Sequence, residues 1–374
     1  MMNVVKNFRK NTLLPFVAFT FAFFIGGIIM VISDPIVMGQ ISSPGKFLTS
    51  AGSKIGNAYL AIFQGSIFDI NLARGSGFIQ GFYPLSETIV TATPLILCGL
   101  SVALAFRSGL FNIGAQGQFI FGAIAASYVG FTFNLNPILH VSLVLLVGII
   151  FGGLYGGIVG ILKAKTGAHE VIVTIMLNYI AALFVLWLLK TKLFLRPERL
   201  DPIAPQVNPS AQLPKLFGEN LRIHSGIFIA IFATIFVAWL LQSSTLGFKF
   251  RAVGSNSNAA RTAGISVPFV TTTTMFICGG LAGLGGAVHL IGTEYALGAG
   301  IAGSLGFDAI TVALLGQATP IGTLFGALLF GALQTGGRTL LSNTGTSPDI
   351  VQVIQALIVL FIAAPTLMLS LIHI

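Results

Sequence analysis

Apolar runs of membrane-spanning length recur along the whole chain. An α-helix needs about 20 mostly apolar residues to cross a bilayer. Only 8% of the residues are charged, whereas a soluble domain has about 25%. The sequence therefore predicts an all-α fold, a polytopic transmembrane helical bundle in which residues 1–374 form a single domain. The candidate spans are 13–32, 89–106, 119–133, 138–162, 171–189, 227–241, 267–291 and 350–374.

The region between Glu294 and Arg338 differs from a simple span. Its one charged residue is Asp308, and several glycines together with Pro320 interrupt the apolar sequence. The uncharged run 309–337 is too long for one helix and too short for two. We therefore expect broken or re-entrant helices, such as a spanning helix beside a half-helix, and about ten spans in total.

Two long polar segments are expected to lie outside the bilayer, on the extracytoplasmic face. Residues 33–86 contain Gly-, Ser- and Pro-rich pieces and one amphipathic run at 58–68, and residues 190–225 contain five prolines. The orientation follows from the positive-inside rule, which weights basic residues close to helix ends and discounts long loops. It places the N-terminus in the cytoplasm.

Glycines recur every four residues on two predicted spans and in the expected broken hairpin. Small residues at this spacing allow two helix backbones to approach closely in lipid. We interpret these stripes as helix-packing surfaces. The glycines are Gly152, Gly156 and Gly160, then Gly279 and Gly283, then Gly322 and Gly326.

The polar stretch 243–266 separates two apolar runs and is typical of a short helix. Ser255 is a suitable N-cap, because its hydroxyl can accept a free backbone N–H, and Gly264 can end the helix in a left-handed conformation. A capped helix in a loop indicates a docking surface; the alternative is an ordinary cytoplasmic connector. Three alanines beside Arg261 are predicted to form one small face: Ala259, Ala260 and Ala263.

Amide side chains lie at a predicted helix break. The segment 109–118 reads GLFNIGAQGQ, and a further asparagine lies a few turns into a later span. Unpaired polar groups are costly in hydrocarbon, so these amides must face partners or a wet cavity. Two interpretations stay open, a substrate pathway and a polar clamp between helices. The candidates are Asn112, Gln116, Gln118 and Asn178.

The segment 306–317 adds two candidates for the substrate pathway, Asp308 and Gln317. An acid inside a membrane is functional or paired by default. The alternative places Asp308 at the water interface, where it caps the helix that follows.

The motifs of an enzyme are not found in this sequence. Ala302 stands where a G-x-S-x-G elbow needs glycine, and no P-loop pattern occurs. His169-Glu170 begins like a zinc-protease motif, but Val173 stands where the second histidine would be, so no metal is expected. Glu170 is instead favoured by the dipole at a helix N-terminus. Basic residues are scattered over the loops and form no large cluster that alternates with aromatic residues, so no nucleic-acid partner is expected.

Four ordered stretches resemble the permeases of ATP-binding cassette (ABC) importers of the ribose, branched-chain amino acid and nucleoside group. They are 109–118, 169–179, 251–265 and 306–317, of which the first two are most similar to the nucleoside branch. Relatives often have an acid in place of Gln116. In this family the loop at 243–266 is a cytoplasmic coupling loop that grips the ATPase. The resemblance thus implies ATPase-coupling roles for Arg251, Gly254, Ser255, Asn258, Ala259, Ala260, Arg261 and Gly264.

The resemblance also implies the setting of the chain. It implies a multi-pass permease subunit of an ATP-driven importer, in the cell membrane of a prokaryote. The implied partners are ABC ATPase subunits, a second permease in a heterodimer, a lipoprotein substrate-binding receptor and the lipid bilayer. ATP and Mg²⁺ would bind to the ATPase subunits, so no cofactor is expected on this chain.

The expected mechanism is alternating access to a central cavity between two permeases. Amide side chains suit a neutral nucleoside, because they both donate and accept hydrogen bonds. Leucine would instead need partners for its two charged groups. The alternatives are an ABC permease for a simple sugar or a branched-chain amino acid, and a secondary transporter that works without ATP.

Overall fold

The structure is a computed structural model that describes residues 2–197 and 201–363. Helices dominate these residues, and the predicted span 350–374 is described as far as Ala363, with its remainder outside the described residues. The helices are α1 (Met2–Ile32), α2 (Pro35–Met38), α3 (Pro44–Ser66), α4 (Ile70–Ser76), α5 (Tyr83–Arg107), α6 (Ala115–Thr132), α7 (Pro137–Thr166), α8 (Glu170–Leu188), α9 (Gly226–Ser243), α10 (Thr245–Ser255), α11 (Ser257–Thr262), α12 (Val267–His289), α13 (Leu305–Leu315), α14 (Pro320–Thr344) and α15 (Asp349–Ala363).

Five helical segments in the described part of the chain are long and apolar enough to cross a membrane. They are Phe78–Arg107, Pro137–Thr166, Glu170–Leu188, Gly226–Ser243 and Val267–Glu294. Three shorter apolar helices accompany them: Val17–Ile32, Leu305–Leu315 and Asp349–Ile362. The predicted class, a helical polytopic membrane protein, is confirmed. The total of about ten spans stays a prediction.

The segment 33–86 contains more helix than the sequence indicated. The amphipathic run expected at 58–68 is only the end of α3, which has 23 residues. Pro44 at the start of α3 favours the longer helix, because its fixed φ suits the first helical turn. The extracytoplasmic position of this segment stays a prediction.

A small sheet departs from the expected all-α fold. Strands β1 (Ile203–Gln206) and β2 (Ala296–Gly298) pair antiparallel, with Ile203 opposite Gly298. Prolines at 202 and 205 keep the first segment from forming a helix. Its backbone groups find hydrogen-bond partners in a distant loop instead.

The chain divides into two compact groups of segments. Among the described residues, the first group contains 2–91, the short segment 219–222 and 329–363. The second contains 92–218 and 223–328. A single permease domain stays a prediction.

In the first group, an ion pair joins α3 to the residues that follow the end of α1. Lys54 Nζ lies 2.8 Å from Asp34 Oδ2. The hydrogen bond from Lys54 lowers the pKa of Asp34, and the backbone N–H groups of Val37 and Ile36 lower it further, whereas partial burial opposes them. Asp34 thereby also caps α2.

Glycines bring α6, α7 and α12 into backbone contact in the second group. A methyl group added at Gly152 would lie 2.6 Å from Gly283 Cα, and one added at Gly160 would lie 2.6 Å from Thr272 Cα. Gly122 on α6 meets the same Gly283 backbone. The predicted glycine stripes of α7 and α12 are therefore confirmed as packing surfaces.

The broken hairpin expected between Glu294 and Arg338 is present. Helix α13 has 11 residues and α14 has 25, with a turn at 316–319 between them. Eleven helical residues extend about 16 Å, half of a bilayer core of about 30 Å. A methyl group added at Gly326 would lie 3.1 Å from Val312 O, so glycines also bring these two helices together.

Candidate functional site

The predicted coupling loop is a pair of helices, α10 and α11, separated by one extended residue. That residue is Asn256, with φ −159° and ψ 105°, and its side chain accepts hydrogen bonds of 3.0 Å from the N–H groups of Asn258 and Ala259. Ser255 is the last residue of α10, so its predicted role as N-cap is wrong. Gly264 has φ +81° just beyond α11, which confirms it as the helix stop.

The predicted alanine face is also wrong in part. Ala260 is only 4% exposed, and its carbonyl accepts a hydrogen bond of 3.0 Å from Ile265 N. Ala259 and Ala263 remain exposed. Ala260 is turned toward the chain and Ala263 lies one residue beyond the end of α11, so the three alanines do not form one outward face. The outward surface of α11 includes Asn258, Ala259 and Arg261.

Helix α10 rests on the connection between α5 and α6. A methyl group added at Gly254 would lie 2.6 Å from Arg107 O and 2.8 Å from Gly109 N. Gly109 has φ +69°, and a methyl group added to it would lie 2.9 Å from Gly254 Cα. Both positions need glycine, since backbone meets backbone there. The structure thus joins two stretches that the sequence singled out separately, 251–265 and 109–118.

Asn112 and Gln118 form a reciprocal amide pair. Asn112 Nδ2 donates to Gln118 Oε1 at 2.9 Å, and Gln118 Nε2 donates to Asn112 Oδ1 at 3.0 Å. Asn112 also donates to Ser101 Oγ at 3.0 Å and accepts from Gly114 N at 3.1 Å. Both amides are buried. Their partners belong to the chain itself, so the structure favours the clamp interpretation over direct contact with a substrate.

Asn178 clamps α8 to the start of α6. Its Oδ1 accepts a hydrogen bond of 2.8 Å from Gly117 N, and its Nδ2 donates one of 2.9 Å to Ile113 O. Gly117 is in the first turn of α6, where backbone N–H groups have no partner within the helix. The side chain is buried. The clamp interpretation again fits better than a cavity wall.

Gln116 ties the start of α6 to the start of α13. Its Nε2 donates to Gly303 O at 2.7 Å, and its Oε1 accepts from Gly306 N at 2.7 Å. This neutral amide both donates and accepts, which a carboxylate cannot do. A carboxylate at this position would lose the bond to Gly303. The side chain of Gln116 is half-buried.

Asp308 and Gln317 lie near the two ends of α13. Asp308 lies in the first turn of the helix and is half-buried, and its Oδ2 accepts a hydrogen bond of 2.7 Å from Ser304 Oγ. A carboxylate in the first turn is favoured by the helix dipole, but Ser304 and not Asp308 occupies the N-cap position of α13. Gln317 is exposed in the turn after α13.

Arg107 is a residue whose contacts the sequence did not reveal. Its Nε donates to Ala318 O at 2.8 Å, and its Nη2 lies 3.4 Å from Gln317 O. In the sequence it counted only as a basic residue at a helix end. Its position directly before the amide-rich break was the one available signal.

Glu170 occupies the position that the sequence predicted. It is the first residue of α8 and forms an ion pair with Lys163 in the last turn of α7. The charge is therefore favoured by the helix dipole and by a partner on the neighbouring helix.

Comparison with known proteins places these features in one family. The family described as "Branched-chain amino acid transport system / permease component" matches residues 85–363. The chain is 37% identical to the guanosine ABC transporter permease protein NupP of Bacillus subtilis over 88% of this chain and 91% of that protein. It is 35% identical to the nucleoside ABC transporter permease protein NupB of Lactococcus lactis over 96% of this chain and 92% of that protein.

A third relative and two further permeases complete the comparison. The chain is 32% identical to the glucose ABC transporter permease protein TsgB13 of Haloferax volcanii over 75% of this chain and 76% of that protein. Bacillus subtilis and Lactococcus lactis each also contain a second matching permease. These are the guanosine permease NupQ and the nucleoside permease NupC, at 29% and 23% identity. No solved structure matches the chain.

Proposed function

This chain belongs to the family of branched-chain amino acid transport permease components, which are ABC permeases, and we propose that it is the nucleoside-translocating subunit of an ATP-driven importer. The observation that carries the proposal is 37% identity, over 88% of the chain, to a protein named as a guanosine permease. A second relative named for nucleosides covers 96% of the chain. One relative is named for glucose, so a sugar is the second candidate substrate.

The substrate pathway is proposed to run along α13. Three pathway candidates keep accessible side chains, and all three lie beside this half-helix: Gln116, Asp308 and Gln317. Side-chain amides can bind the hydroxyl groups of ribose and the edge of a nucleobase. Alternating access would expose this surface to each side of the membrane in turn.

Uptake by cells tests the substrate class. A strain without this chain, and the same strain carrying it on a plasmid, are compared for uptake of labelled guanosine, cytidine, glucose and leucine. We expect nucleoside uptake to need the chain, to survive loss of the proton gradient and to stop on depletion of ATP. Glucose uptake with these properties would favour the sugar alternative. Nucleoside uptake that follows the proton gradient would contradict the ABC importer.

The loop formed by α10 and α11 is proposed to dock on the ATPase in the cytoplasm. Ala259→Glu should leave the isolated permease stable, because this side chain is exposed, and should impair ATPase coupling. A carboxylate buried without a partner in the interface costs about 1–3 kcal/mol or more. Ala260→Glu is the matched comparison. It should destabilise the loop itself, because Ala260 is buried within the chain. Full substrate-stimulated ATP hydrolysis with Ala259→Glu would contradict the docking role.

The remaining assignments follow from the same proposal. ATP would be hydrolysed by separate ABC ATPase subunits, a second permease would complete a heterodimer, and a lipoprotein receptor would deliver the substrate. No cofactor would be bound by this chain. The N-terminus and the coupling loop would face the cytoplasm of a prokaryotic cell. Cysteine introduced at the exposed Asn258 should react with impermeant reagents only from the inside; reaction from the outside would reverse the topology.

A further inference from the structure

We propose that residues 107–116, which are the connection between α5 and α6 and the first residues of α6, transmit movement of the coupling loop to the half-helix α13, with Arg107 as a positioning residue. The inference rests on the proposed function, since it assumes that the loop docks on an ATPase. It assigns a path by which that docking reaches the proposed substrate surface. The path has one contact with the coupling loop and two with the segments that flank α13.

The first contact is the crossing of Gly254 with Gly109. Each backbone lies so close to the other that an added methyl group would come within 2.9 Å of the facing glycine. No flexible side chain lies between them that could absorb a displacement. Because closely packed segments transmit displacement to each other, a shift of α10 toward this connection displaces residues 107–109.

The second contact is between Arg107 and the turn after α13. Its guanidinium binds the carbonyl of Ala318 at 2.8 Å, with the carbonyl of Gln317 at 3.4 Å. Gln317 and Ala318 have φ +52° and +50°, a left-handed conformation that is unfavourable for residues with side chains. Such a conformation persists only where neighbouring groups hold it. Arg107 is one of those groups, so its displacement alters the turn.

The third contact lies at the other end of α13. Gln116 binds Gly303 O and Gly306 N, each at 2.7 Å. Between Arg107 and Gln116 the connection is stiffened by Asn112, which bonds to Ser101, Gln118 and Gly114 at 2.9–3.1 Å. The connection therefore holds both ends of α13 and moves as one piece.

Variants of Arg107 in the assembled complex separate transmission from a static brace. Arg107→Met removes the donors and keeps an unbranched apolar side chain, and Arg107→Lys keeps the charge and one donor nitrogen in place of the guanidinium. Lys165→Met is the control, an exposed cation in the last turn of α7. The readout is guanosine transported per ATP hydrolysed, beside the basal ATPase rate.

We expect Arg107→Met to lower this ratio about 5-fold or more, in the range of ordinary coupling between sites, at an unchanged basal ATPase rate. Arg107→Lys should restore part of the ratio, and Lys165→Met should leave it at the wild-type value. A wild-type ratio in Arg107→Met overturns the transmission role while leaving the importer intact. Absence of ATP-driven uptake by the wild-type complex overturns the proposed function, and the transmission role with it.

Hydrogen exchange provides a second test, first in the wild-type complex and then in Arg107→Met. Trapping the ATPase with nucleotide and vanadate should change the exchange of residues 303–319 together with that of residues 245–263. In Arg107→Met the change at residues 245–263 should persist, and the change at residues 303–319 should become smaller. A wild-type complex in which 245–263 responds and 303–319 does not would contradict the proposed path.

Discussion

Replacement of Asn178 by leucine should destabilise the protein through two backbone groups that are distant in sequence. The side-chain amide of Asn178 accepts a hydrogen bond of 2.8 Å from Gly117 N and donates one of 2.9 Å to Ile113 O. Each buried group left without its partner costs about 1–3 kcal/mol, and the apolar surface of leucine recovers up to about 2 kcal/mol. The two groups together cost about 2–6 kcal/mol and leucine recovers at most about 2 kcal/mol, which leaves a net destabilisation of about 2 kcal/mol at mid-range values, seen as a lower Tm.

The measurement is thermal unfolding of the purified permease in detergent, with uptake measured in parallel. Tyr179→Leu is the matched control, because its side chain is the next on α8 and is 65% exposed. The control should keep the wild-type Tm. Uptake by Asn178→Leu should fall only as far as the amount of folded protein falls. A wild-type Tm combined with lost uptake would refute the clamp and restore Asn178 to the substrate pathway.

Two further perturbations follow from the packing and from the surface charges. Gly283→Ala should destabilise the protein by about 1–3 kcal/mol, because its methyl group would lie 2.8 Å from Gly152 Cα. Gly56→Ala has no atom within 4 Å and should be neutral or stabilising in the same thermal assay. The lowered pKa of Asp34 means that its ion pair with Lys54 is fully stabilising above the ordinary carboxyl pKa of about 4, and is lost as the pH falls through the lowered value. Asp34→Asn should therefore lower the free energy of unfolding at neutral pH by at most about 1 kcal/mol, seen as a lower Tm. The difference in Tm between this variant and the wild type should vanish in acid. An unchanged difference at low pH would contradict the ion pair as its cause.

The helical class and the broken hairpin follow from the sequence because they depend on the length and charge of single segments. An uncharged run of the wrong length for one or two helices requires a break, and α13 with α14 supply it. The glycine stripes are predictable for the same reason, since their spacing defines a helix face.

The partners of the amides depend on tertiary structure, and the sequence does not specify them. Asn178 and Gly117 are 61 residues apart in the chain. A polar residue on an apolar helix has the same pattern whether it faces water or a backbone group of another helix. The sequence therefore fits a role in the substrate pathway and a role as a clamp between helices equally well, and only the packing distinguishes the two.

The details of the coupling loop also depend on packing. Ser255 and Asn256 are both good N-caps, and local preference does not choose between them. Helix α10 continues through Gly254, where it packs on Arg107 and Gly109, so the cap falls on the next residue that leaves the helix. The contacts of Arg107 are not predictable from the sequence, because a guanidinium that binds backbone carbonyls needs no acidic partner that would indicate them.

ATP-dependent accumulation of a nucleoside by the purified complex tests the central claim most directly. The permease, the proposed second permease and the proposed ATPase are reconstituted in liposomes with ATP inside, and the proposed receptor and labelled guanosine are added outside. We predict accumulation of guanosine that requires ATP hydrolysis, with no accumulation of leucine or glucose. Accumulation of leucine or glucose in place of guanosine, or guanosine uptake that proceeds without ATP, would contradict the account.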